Sequence, residues 1–163
     1  MTPVRSRAHV PGWIVWSVRF TVTAHLVSAL AQAVLAGLFI TGDVDLLRMH
    51  NINGQVASTL ATLQFVAAIL LWRPGRGPSW PIWPSLLLTL LEGMQHTTGL
   101  NRTLDLHVPG GVLIFGIACV MAVWAWGRIE RTGLPADAPA GTAEAPAEGR
   151  ADEPAHTSER ARA

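Results

Sequence analysis

Four apolar runs, separated by short polar breaks, occupy residues 13–41, 54–72, 80–98 and 108–126 of a chain of 163 residues. Each supplies about 19 or more helical residues, and at about 1.5 Å per residue that length crosses a hydrocarbon core of about 30 Å. A water-soluble bundle shows a polar stripe every third or fourth residue. Residues 112–123 show none. The breaks at 42–53, 73–79 and 99–107 are short, and short connections force antiparallel neighbours. The pattern predicts an all-α fold: an integral membrane antiparallel four-helix bundle over residues 13–131.

Charge assigns an orientation to that bundle. Arg5, Arg7 and Arg19 flank the start of the first run, Arg73 and Arg76 lie in the second break, and Arg128 and Arg131 follow the fourth run. The other two breaks hold one arginine each, Arg48 and Arg102, beside Asp43, Asp45 and Asp105. The positive-inside bias puts both termini and the 73–79 break in the cytoplasm, as in a multi-pass protein of the plasma membrane. Trp13, Trp16, Trp72, Trp80, Trp83, Trp124 and Trp126 all fall at that same end, as an interfacial aromatic belt does. The first run is too long for the h-region of a cleaved signal, so it reads as a retained span after a cytoplasmic segment at 1–12.

From residue 132 to 163 the composition turns to Ala, Pro, Gly, Glu and Arg, which cannot bury enough apolar area to offset ordering; a disordered cytoplasmic tail is expected there, with His156 inert. Net charge is +1, so no basic surface points to nucleic acid. All twelve basic residues are Arg, which with the abundant Ala and Gly is a sign of GC-rich coding bias more than of function. Cys119, the single cysteine, lies within an apolar run and reads as a small hydrophobe.

The candidate chemistry lies in a pattern that occurs twice. Thr41-Gly42 is followed by His50 and Gly54, and Thr98-Gly99 by His107 and Gly111, each at an offset of 57 residues. The second and fourth helices run the same way, so His50 and His107 sit at nearly equal depth near their outer starts. Equal depth is what a planar cofactor between two helices asks of axial ligands, and imidazole is a common haem ligand. Gly54 and Gly111, at i+4 on the same face, allow a ring to approach closely. Taken singly, each His reads as an interfacial residue and each Gly as a helix-packing residue. Taken as a matched pair, they read as a haem site with His50 and His107 on the iron. The Thr-Gly pairs read as helix ends, since Gly accepts the left-handed cap conformation. Asn51 and Asn53 read as caps of the second helix more than as partners of His50.

Glu92, Gln95 and His96 form a second polar cluster in the third helix. Glu92 and His96 are i, i+4 and face the same way, as a polar relay would require. The competing reading is an interhelical hydrogen bond, for example to Gln32 or Gln64. His25, in the inner half of the first helix, reads as a lone hydrogen-bonded histidine. Arg48 and Arg102 read as solvated loop residues, although either could pair with haem propionates. Two His without Cys, Met or carboxylate partners make a poor closed zinc or copper site, and Met49 reads as facing away.

With one His opening helix two and another opening helix four, the chain resembles one half of haem A synthase and, more loosely, the bis-His bundles of b-type cytochromes. Phrases such as AQAVLAGLFITG, LLRMHNINGQV and LHVPGGVLIFG are similar in layout to small four-span bacterial membrane proteins. The resemblance implies that His50 and His107 are the axial pair of a haem b. Haem A synthase carries two such units and a catalytic acidic residue in an outer loop. Here there is one unit, with Asp43 and Asp45 in that region and no Glu. What the resemblance implies is therefore haem binding and electron transfer, without independent catalytic activity.

Three functions compete on the sequence. The leading one is a bis-His b-type cytochrome in the bilayer, exchanging electrons with a quinone or a redox partner protein. The second is a small proton-coupled transporter, working as a dimer around Glu92. The third is a non-catalytic accessory subunit of a larger membrane complex.

Overall fold

The computed structural model describes residues 10–129. All of the expected tail at 132–163, and all but the last three residues of the expected segment at 1–12, lie outside the described residues. The described chain forms four α-helices and no strand: α1 (Gly12–Ile40), α2 (Leu46–Trp72), α3 (Ile82–Leu100) and α4 (Leu104–Gly127). Three of them, α1, α2 and α4, are long and apolar enough to cross a membrane. The remaining expected span, the third, at 80–98, corresponds to α3, which is shorter and carries Glu92, Gln95 and His96.

Local chemistry sets the helix ends. Pro11 precedes α1, where a missing N–H is harmless, and its carbonyl accepts from the amides of Ile14 and Val15. At the other end Gly42 adopts φ 121°, the left-handed region expected of a Thr-Gly stop. The second Thr-Gly pair does not stop its helix: α3 runs through Gly99 to Leu100, and Arg102 takes the positive φ of 55° instead. The expected break at 42–53 is largely helix, because α2 begins at Leu46. Asn53 is accordingly no cap. Its Nδ2 donates to the Ser28 carbonyl oxygen at 2.9 Å and to Gln32 Oε1 at 3.0 Å, tying a polar stretch of α2 to α1.

Consecutive helices are antiparallel neighbours, and α4 closes the ring against α1. Ser28 and His25 of α1 meet Asn53 and Gln64 of α2, so rising numbers on one helix meet falling numbers on the other. The pairs α1/α3 and α2/α4 face each other only across the diagonals. The apolar core, with Ile14, Val18, Leu71, Leu88, Met121 and Ala125, fills one half of the bundle. The tryptophan end closes that half, where Trp16 meets Trp126 and Trp80 meets Trp124 edge-on. The polar side chains His25, Gln64, Ser85 and Glu92 are buried, whereas Phe20, Leu90, Val112 and Val123 are exposed. That distribution inverts the one found in water-soluble proteins.

Candidate functional site

His50 lies in the second turn of α2 and His107 in the first turn of α4, the two helices that begin at the end away from the tryptophans. Across the α2/α4 diagonal their rings are 6.1 Å apart between centroids, at an interplanar angle of 56°. An ion held between two imidazole nitrogens at about 2.0–2.1 Å each sets ring centres about 6.3 Å apart. Both histidines are half-buried and line one half-open cavity of about 150 Å³, together with Gln32, Phe39, Glu92 and His96. Phe39 stands 6.0 Å from His50, centroid to centroid, and forms part of the wall on the α1 side.

The two rings are held differently. His107 Nδ1 is 3.1 Å from the Gln95 carbonyl oxygen and 3.2 Å from Thr98 Oγ1. A carbonyl oxygen can only accept, so the proton of a neutral His107 sits on Nδ1 and Nε2 keeps its lone pair. Fixing the tautomer through the remote nitrogen is how proteins orient a metal-ligating histidine. His50 Nδ1 is buried and makes no hydrogen bond of acceptable geometry, although the Gln32 backbone approaches the ring. Gln95 Nε2 is likewise buried without a partner. Buried polar atoms are normally paired, and both of these belong to residues that line the same cavity.

Glycines let the surrounding side chains lie flat. A Cβ on Gly54 would stand 3.1 Å from Gln32 Nε2, and one on Gly99 would stand 3.2 Å from His107 Cε1. On α4 the glycine at the inner face is Gly110, which is buried against the Gln95 amide. Gly111, expected at that place, is exposed, with open space where its Cβ would be. Positions i+3 and i+4 flank the same helix face, and the rotation of α4 selects the nearer of the two.

The second cluster also assembles differently from its i, i+4 reading. Glu92 Oε1 pairs with His25 Nε2 at 3.0 Å across the α1/α3 diagonal. His96 is exposed and borders the cavity. His25 is fully buried, and its Nδ1 contacts Gln64 Oε1 at 3.3 Å, while Gln64 Nε2 donates to Ser85 Oγ at 3.3 Å. The result is a polar chain, Glu92–His25–Gln64–Ser85, that starts at the cavity wall and ends inside the apolar half. Its signal in the sequence is depth. Both α1 and α3 start at the tryptophan end, and His25 and Glu92 stand about three and a half and about three turns in.

Met49, Arg48, Asn51 and Arg102 are exposed. Cys119 is a free, half-buried thiol. Among the described residues no three His, Cys, Asp or Glu side chains come together as a metal-binding group. Neither a protein-family model, nor a curated protein, nor a solved structure matches this chain.

Proposed function

We propose that this is an integral membrane protein that holds a b-type haem between His50 and His107 and passes electrons to or from a quinone or a redox protein. The observation that carries the reading is the facing pair itself: two imidazoles on diagonal helices, 6.1 Å apart between centroids, one with its Nδ1 proton directed to a carbonyl. Gly54, Gly99 and Gly110 keep the flanking surfaces low, and Gln95 can turn away without breaking a hydrogen bond of its amide nitrogen. Bound haem would supply the one-electron chemistry, and the chain would supply ligation, burial and exclusion of water.

The exposed apolar outer faces and buried polar interior support insertion of all four helices. Lying between α2 and α4 in the ring, α3 would enter with them, its Glu92 hydrogen-bonded to His25. The Arg distribution supports an orientation with the tryptophan end in the cytoplasm and the histidine cavity at the outer face of the plasma membrane.

The test is a visible spectrum of the protein purified in mild detergent, oxidised and dithionite-reduced. A Soret band with sharp reduced α and β bands, lost in both His50→Ala and His107→Ala, is the expected result. Absence of haem after expression with ample haem supply moves the weight to the second reading, a proton-coupled transporter. That reading is favoured by one observation, the placement of Glu92 at both the cavity wall and the buried His25.

A further inference from the structure

The polar chain has a property that a purely structural hydrogen bond does not need. In the arrangement described, Gln64 directs its Oε1 at His25 and its amide nitrogen at Ser85. An amide oxygen only accepts, so His25 Nδ1 carries a proton. Its Nε2 can then meet the Glu92 carboxyl at 3.0 Å only with one further proton between them. That proton makes the pair imidazolium–carboxylate or imidazole–carboxylic acid, neutral overall in either form. If Gln64 turns over, its nitrogen donates to Nδ1 and its oxygen accepts from the Ser85 hydroxyl, which can donate or accept. His25 then donates from Nε2 to an ionised Glu92, every group is still paired, and the chain holds one proton fewer. Both protonation states are fully hydrogen-bonded.

Access to that proton is one-sided. Glu92 borders the cavity at the histidine end. In the other direction the chain stops at Ser85, which is fully buried, and beyond it lie Ile14, Val18, Leu71 and Leu88 of the apolar core. The other titratable side chains at the cavity are His50 on α2, His96 on α3 and His107 on α4. From α1 the group facing Glu92 is His25 itself.

We propose that the His25–Glu92 pair is the proton acceptor that accompanies electron entry at the His50–His107 site, a reading that rests on haem being bound there. One electron from a quinol or a reduced protein enters the site, and one proton from water in the cavity enters the pair; no bond to carbon is made or broken. The added negative charge is thus balanced inside a low-dielectric bundle, where an unbalanced charge is costly. Oxidation returns the electron to an acceptor and the proton to the cavity.

The experiment is a redox titration of the full, haem-loaded chain in detergent at a series of pH values. The midpoint potential should fall with rising pH, approaching about 59 mV per pH unit, the one-electron equivalent of a tenfold change. Glu92→Gln, which keeps a hydrogen bond to His25 but cannot ionise, should flatten that slope, and His96→Asn should leave it in place. The redox infrared difference spectrum should show a carboxylate or carboxylic-acid signal of Glu92 that Glu92→Gln removes. Should Glu92→Gln fail to fold, the double variant His25→Asn/Glu92→Gln serves: neither position can then take up a proton, and the slope should flatten in the same way. A flat potential in the unaltered protein, or an unchanged slope in Glu92→Gln, overturns the inference while haem binding stands. A chain that takes up no haem overturns both.

Discussion

His25 on α1 and Glu92 on α3 meet at 3.0 Å although their helices touch only across the bundle diagonal, and His50 and His107 meet across the other diagonal. Two crossings at different depths give the bundle its polar interior. The upper one lines a cavity that Glu92 of the lower one also borders, and below the lower one the apolar core fills the bundle.

The lower crossing should therefore be a point of stability. In His25→Leu both Glu92 and Gln64 lose a buried partner, and breaking a buried pair by removing one member costs about 3 kcal/mol. The double variant His25→Leu/Glu92→Leu removes both ends of the pair and should be closer to neutral. Thermal or denaturant unfolding in detergent measures both. Equal losses in the single and double variants would falsify a coupled pair.

Adjacent glycines on α4 should behave oppositely. Gly110→Leu drives a side chain into the Gln95 amide and the cavity wall, so it should lower both Tm and haem uptake. Gly111→Ala meets open space on an exposed helical position and should be neutral or stabilising, by up to about 1 kcal/mol. A haem titration of the two variants separates an inner role at i+3 from one at i+4.

These contrasts also mark what a sequence can reveal. The apolar runs locate all four helices because hydropathy depends on composition alone. The stop at Gly42 is legible because a Thr-Gly pair with positive φ is a local event. The start of α2 at Leu46 is not, since Arg48, His50, Asn51 and Asn53 look like a loop until Asn53 is seen bonding Ser28 and Gln32 of another helix. Nor is the choice of Gly110 over Gly111, or of His25 over His96 as the partner of Glu92. Helices that are apolar nearly all round carry no stripe from which their rotation can be read. The matched depth of His50 and His107 is legible because it rests on chain direction and spacing, which need no rotation.

At the tryptophan end, Arg19 is buried with its guanidinium carbon 5.5 Å from the Trp16 ring centre and 4.8 Å from that of Trp126. Its Nε donates to the Ala125 carbonyl oxygen at 3.3 Å, linking α1 to α4. Arg19→Met keeps the length and removes the charge and the donor. A loss of about 1–2 kcal/mol is expected, with a change in tryptophan fluorescence that a surface arginine variant does not produce.

The hold on His107 can be dissected by Thr98→Val. The substitution removes the hydroxyl 3.2 Å from Nδ1 but leaves the Gln95 carbonyl, a backbone acceptor that no side-chain change deletes. Partners of a ligating histidine are typically worth 10–100-fold in affinity. Because one of the two remains, haem affinity should drop by about tenfold or less, with the reduced α and β bands retained. Gly99→Val should do more damage, since a Cβ there already stands 3.2 Å from His107 Cε1 and a branched side chain forces the ring to move. Haem titrations of Thr98→Val, Gly99→Val and His107→Ala should thus rank in that order of increasing loss. If Thr98→Val is as severe as His107→Ala, the hydroxyl and not the carbonyl sets the tautomer, and the assignment of a free lone pair to Nε2 fails.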